Sequence, residues 1–128
     1  MGNEITIQSQ MTIKKGEYEF LTPQASFQED MTNARGGNPG FLQVAAFPSY
    51  VNPSLGSHTT PARIFIRNLD DTDILEFGYF DGTDFNPIGE VLPETHVIFR
   101  LSRNLSAGEL AFSARGGQID IEVYIFDA

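Results

Sequence analysis

Ile119-Asp120-Ile121-Glu122-Val123-Tyr124-Ile125-Phe126 alternates an aliphatic side chain with a polar or aromatic one, without a break. A strand turns successive side chains to opposite faces, so Ile119, Ile121, Val123 and Ile125 share one face and Asp120, Glu122, Tyr124 and Phe126 the other. The aliphatic face reads as core. The other face starts wet and ends in two aromatics that are either exposed or part of an interface. A helix would need apolar residues at i, i+3, i+4 and i+7, and no window of the chain supplies that stripe.

The same alternation runs back through Ala62 to Arg67, Ile74 to Phe80, His96 to Leu101 and Glu109 to Ala114, with turn signals between the runs. Five short strands within residues 62–126 predict an all-β fold, an antiparallel β-sandwich or barrel of jelly-roll-like type. Its core takes Ile64, Ile66, Val97, Phe99 and Leu101 together with the four aliphatics of the last strand.

Nearer the N-terminus the pattern is less regular. Ile5, Ile7, Met11 and Ile13 fall on odd positions before Lys14-Lys15-Gly16 closes the run. Residues 1–15 are thus a candidate docking strand, whose backbone would pair with its own sheet or with a neighbour's edge. Tyr18 and Phe20 alternate with Glu17 and Glu19, Thr22-Pro23 interrupts, and Phe27 to Met31 forms another short strand. Phe41 to Phe47 reads as a buried strand between two long Pro/Gly-rich loops, residues 32–40 and 48–61. No repeat or linker divides the chain, so 1–128 is expected to be a single β domain.

Composition narrows the function. The 128 residues carry 17 acids against 8 bases, a formal charge of −9. Between Arg67 and Arg100 stand eight acids and no base: Asp70, Asp71, Asp73, Glu76, Asp81, Asp84, Glu90 and Glu94. Such a stretch repels a phosphate backbone, so nucleic acid is not the expected partner. No apolar run approaches the roughly 20 residues of a spanning helix, so no membrane partner is expected either. MGNEITIQSQ has neither the basic nor the apolar region of a secretory signal, which favours synthesis in a cytoplasm.

Candidate chemistry is sparse. With no cysteine, thiolate nucleophiles and Cys-ligated metals are ruled out, and His58 and His96 are not at a metal-binding spacing. No serine lies in a G-x-S-x-G elbow, and neither Gly36-Gly37 nor Gly116-Gly117 belongs to a phosphate-cradling motif. Asp81-Gly82-Thr83-Asp84 reads as a hairpin turn rather than a fragment of a calcium loop, because further acidic ligands and the bidentate glutamate are missing. The expectation is a protein without catalytic residues, cofactor or metal. Tyr50, Tyr79, Phe80 and Phe85, in or near loops, keep a carbohydrate-binding adhesin module open as an alternative, although the chain has no tryptophan.

Ile66-Arg67-Asn68-Leu69-Asp70, Phe85-Asn86-Pro87, Leu92-Pro93-Glu94 and Phe99-Arg100-Leu101 together resemble the C-terminal part of small virion proteins of tailed bacteriophages. In that group a strand ending in I-x-N-L-D leads to a second strand, a Phe-x-Pro step and an L-x-P-G-E-like turn feeding an F-R-L strand. The likeness spans roughly residues 62–128, and this chain departs from it in lacking a glycine between Pro93 and Glu94. It implies a virion protein made in the bacterial host cytoplasm: a capsid-decoration or minor capsid protein, with a head-tail connector or tail component as alternative. Partners would be the major capsid protein, other virion subunits and further copies of the chain. The subunit contacts would be Ile5, Ile7, Met11, Ile13, Tyr124 and Phe126. The acidic 70–94 stretch would face solvent while the near-neutral N-terminal half docks.

Overall fold

The computed structural model describes residues 4–31, 36–52, 61–102 and 110–127. Every regular element among them is a strand, and the strands form antiparallel sheets, none of them closed into a barrel. The chain divides into two compact units, 1–32 and 33–128.

The first unit is a two-stranded ribbon. β1 (Ile5–Ser9) pairs with β4 (Ala25–Glu29), and β2 (Thr12–Lys15) pairs with β3 (Tyr18–Leu21). Gly16 and Glu17 connect β2 to β3. A positive φ of 59° falls on the first of these alone, as a type II′ hairpin requires, and glycine accepts it without a steric penalty. The single run read from residues 5 to 13 is in fact two strands. Ser9 faces Ala25 and Thr12 faces Leu21, so the return strand uses one residue more than the outgoing one. Pro23, which has no N–H to give a ladder, lies in that irregularity. There the Met11 N–H donates to the Thr22 hydroxyl (2.7 Å) and the Thr22 N–H to the Met11 carbonyl (2.8 Å).

The second unit contains two sheets. β5 (Gly36–Val44), β11 (Ile119–Asp127), β6 (Pro61–Asn68) and β9 (His96–Arg100) form a four-stranded sheet in that order. β10 (Leu110–Arg115), β7 (Ile74–Phe80) and β8 (Phe85–Val91) form a three-stranded one. Residues 45–51 run along the free side of β10, with Val51 and Phe112 exchanging both backbone hydrogen bonds. One core is shared: Val44, Ile64, Ile66, Ile121, Val123 and Ile125 from the larger sheet, Leu75, Val91, Leu110 and Phe112 from the smaller. Phe77 stacks on Phe99 across it, ring centres 5.1 Å apart. The arrangement is sandwich-like. The expected inward set is buried, with Val97 and Phe99 half-buried against the core.

The strand expected at Phe27 to Met31 is Ala25–Glu29, and the buried strand expected at Phe41 to Phe47 ends at Val44 and leaves both phenylalanines exposed. Two further differences involve proline. Residues 36–40 are expected to be loop but belong to β5, and Phe85–Val91 is a strand although it holds a Phe-x-Pro step. Both lie at sheet edges, where one side of the backbone needs no partner, so Pro39 and Pro87 are tolerated. Both ladders also shift register, at Ile125/Phe126 and at Phe77/Gly78. At the second shift a Cβ on Gly78 would collide with the Asn86 carbonyl oxygen, so the backbones meet too closely for any other residue. Of the second expected loop, 48–61, Pro61 opens β6 and 48–52 are described, while residues 32–35 and 53–60 of the two loops lie outside the described residues, as do His58 and Glu109.

One end of the second unit is organised by the fully buried Asn68. Its N–H donates to the Thr95 carbonyl (3.0 Å) and its amide to the carbonyls of Asp73 (2.9 Å) and Val91 (3.0 Å). Its Oδ1 accepts the Asp70 N–H (2.9 Å). This one side chain thus links the β6–β7 and β8–β9 connections. In the latter, the Thr95 N–H donates to the Leu92 carbonyl (3.1 Å) and the left-handed φ of 61° falls on Glu94.

Candidate functional site

The candidate contacts read from sequence are surfaces, and the structure distributes them over both units. In the ribbon, Ile5 lies opposite Glu29, Ile7 opposite Phe27 and Ile13 opposite Phe20. Met11 sits at the register break beside Thr22, next to an open concavity of about 270 Å³ lined by Ser9, Gln10, Met11, Thr22, Pro23 and Ala25. Ile5 and Ile7 are half-buried, whereas Met11, Ile13, Tyr18, Phe20, Leu21 and Phe27 are 42–62% exposed. Every residue of β2 and β3 is exposed. Alternation within β1 and β2 does not name Phe20 and Phe27 as companions of Ile13 and Ile7. The hairpin signal Lys15-Gly16-Glu17 is the feature that brings them opposite one another.

Tyr124 and Phe126 stand on the outer face of the four-stranded sheet. Cross-strand register gives that face two clear rows: Phe41, Glu122, Arg67, His96, and then Tyr124, Phe65, Ile98. Phe126, Arg63 and Arg100 continue it. The Phe65 ring stacks on His96 (5.5 Å) and contacts Tyr124 (5.8 Å), while Phe41 is 74% exposed. Arg67 lies 3.9 Å from Glu122. The Tyr124 hydroxyl donates to Glu122, and this hydrogen bond holds its pKa above the usual tyrosine value. The sequence by itself does not assign Phe41, Phe65, Ile98 and the three arginines to this face, because strand order, which brings them together, is not written in any one strand.

The acidic segments serve turn geometry. The Asp70 carboxylate accepts the N–H groups of Asp73 and Thr72, and the Asp81 carboxylate those of Asp84 and Thr83 together with the Asn86 amide. These donors, Asp73 first for Asp70 and Asp84 first for Asp81, hold both carboxyls below the ordinary aspartate range and keep them ionised. Gly82 takes a φ of 100° inside the second turn, in keeping with the Asp-Gly pair. Asp71, Asp81, Asp84, Glu90 and Glu94 are exposed. Beside the tip Tyr50 stacks on Phe80 (4.7 Å) and Phe85 (6.4 Å), so three of the four rings expected to meet a sugar stack on one another. Among the described residues no group of three His, Asp or Glu side chains is gathered as a metal site, and no helix is long and apolar enough to cross a membrane.

Compared with models of known protein families, with curated proteins and with solved structures, the chain matches none.

Proposed function

We propose that the chain is a non-enzymatic structural protein of a tailed-phage particle, a capsid-decoration or minor capsid protein that binds neighbouring virion subunits such as the major capsid protein. On this reading it is made in the host cytoplasm and resides in the virion, and its second unit is a jelly-roll-like sandwich. One observation carries the proposal: residues 5–29 form a two-stranded ribbon that leaves six large apolar side chains 42–62% exposed. A lone two-stranded ribbon is marginal in water, and covering side chains of this size stabilises by roughly 1.5–3 kcal/mol each when burial is complete. A neighbouring subunit of the particle supplies that cover. Ile13 and Phe20, directly opposite each other, lie at the centre of the contact.

The test is substitution rather than removal of residues 1–13, because removal would take from β3 and β4 their hydrogen-bonding partners. The full chain carrying Ile13→Asp and Phe20→Asp should melt like the original and fail to co-sediment with particles lacking the native protein. Undiminished co-sedimentation would place attachment elsewhere. Binding to a glycan array would favour the adhesin alternative, and location at the portal or tail in a particle map the connector alternative.

A further inference from the structure

We infer that the outer face of the β5-β11-β6-β9 sheet receives the acidic β7–β8 tip of a second copy of this chain, head to tail. The face combines Phe41, Phe65, Tyr124 and Ile98 with Arg63, Arg67 and Arg100, against two acids, Asp120 and Glu122. Aromatic and arginine side chains are enriched among the residues that dominate association energies. Acids outnumber bases by more than two to one in this chain, and three of the four described arginines stand on this face. The complementary surface is on the same chain: the exposed tip Asp81-Gly82-Thr83-Asp84, within a 32-residue stretch that has no base.

The tip has a fixed shape. Asp81 ties its own turn through the Thr83 and Asp84 N–H groups, and the Tyr50, Phe80 and Phe85 rings stack at its base. An aromatic-based acidic tip therefore meets an aromatic-based cationic face. Because the two patches differ, each tip-to-face contact leaves one tip and one face on the pair still to be filled, and reciprocal pairing, a ring or an open row fills them. The overall charge of −9 opposes association at long range. At about 0.15 M salt screening confines that repulsion to roughly 8 Å, while pairs in contact keep their attraction.

The experiment is sedimentation velocity on the full chain at about 0.15 M salt, from about 10 μM to about 500 μM, the range in which small interfaces associate. The original chain should show concentration-dependent association. Arg67→Glu and Asp84→Lys, both at exposed positions, should each weaken it by about tenfold or more; Asp84→Lys should leave the melting temperature in place, whereas Arg67→Glu, which sets a carboxylate opposite Glu122, should lower it slightly without unfolding the chain. An equimolar mixture of the two variants should regain most of the association, as the reversed tip of one meets the reversed face of the other. The Ile13→Asp/Phe20→Asp chain should associate like the original. A chain monomeric throughout, single reversals without effect, a mixture that stays dissociated, or loss in the ribbon variant would each overturn the inference. None of these outcomes depends on whether the ribbon binds a particle.

Discussion

β11 and the β1–β2 side of the ribbon carry the same alternation and meet opposite fates. In β11 the aliphatic residues Ile119, Ile121, Val123 and Ile125 are buried, with a strand on each side and a second sheet across the core. In the ribbon Met11 and Ile13 remain 55% and 42% exposed, and the aromatics of the return strand are likewise uncovered. Period two says which side chains share a face; it does not say whether anything covers that face. Burial needs a second layer, and two strands of four and five residues cannot fold over themselves to make one. An alternating run that forms only a hairpin therefore makes a surface, whereas the same run inside a four-stranded sheet makes a core.

The largest expected effect tests that contrast directly. Val123→Asp puts an unpaired carboxylate into the centre of the shared core, at a cost of several kcal/mol against a typical stability of about 5–15 kcal/mol, and should abolish cooperative melting. Ile13→Asp changes an equally regular position and should shift stability by no more than about 0.5 kcal/mol, as exposed substitutions do. Thermal melts by circular dichroism of the two variants check both halves. A folded Val123→Asp chain, or an unfolded Ile13→Asp chain, would break the comparison.

Much of the fold is legible in the sequence where side-chain pattern alone decides. The strands ARIFIR, ILEFGYF, HVIFR and IDIEVYIF are legible, and for all but ILEFGYF, whose register shift breaks the parity, the inward residues follow from alternation, because one slip in register would expose a whole aliphatic set. What is not legible depends on neighbours. Pro39 and Pro87 argue against strands, yet mark edges, and edge position is a property of sheet order. The candidate contacts Ile7 and Ile13 are visible from parity, but their partners Phe27 and Phe20 are set by one turn and one extra residue. The arginine-bearing face is assembled from β6, β9 and β11 and appears in none of them alone.

Asn68 gives the next effect in size and confines it to the second unit. It continues the inward parity of Ile64 and Ile66 at the end of β6, but its polar side chain keeps it out of the core read from alternation. Asn68→Leu would leave the carbonyls of Asp73 and Val91 and the Asp70 N–H without their partner. At about 1–3 kcal/mol for each buried group left unsatisfied, with water reaching the partly exposed ones, the loss should be about 3 kcal/mol in urea unfolding. A loss below about 1 kcal/mol would mean that the two connections are held by something other than this side chain. The ribbon's amide protection should be unchanged, since no described hydrogen bond of Asn68 involves it.

The smallest effect comes from comparing the two units at their turns. The ribbon places glycine at its left-handed position, Gly16 with φ 59°, whereas the second unit places Glu94 at φ 61° in a turn whose second corner is Pro93. A side chain in that region brings its Cβ against the backbone, at a cost of about 1–2 kcal/mol relative to glycine. Glycine returns part of this advantage, about 0.5–1 kcal/mol, through the greater freedom of its unfolded chain. The net expectation for Glu94→Gly is a gain of about 0.5–1 kcal/mol. In a unit of this size that gain raises the melting temperature by a few degrees. The substitution also removes one exposed acid from a base-free stretch, which acts in the same direction by lowering local repulsion. Glu94→Gln separates the two causes, because it removes the charge and keeps the Cβ. If Glu94→Gln raises the melting temperature as much as Glu94→Gly does, the backbone is not strained at Glu94 and charge accounts for the gain. If only Glu94→Gly raises it, the turn is a place in the second unit where local conformation opposes the fold, a conflict the ribbon avoids by placing Gly16 at its own left-handed position.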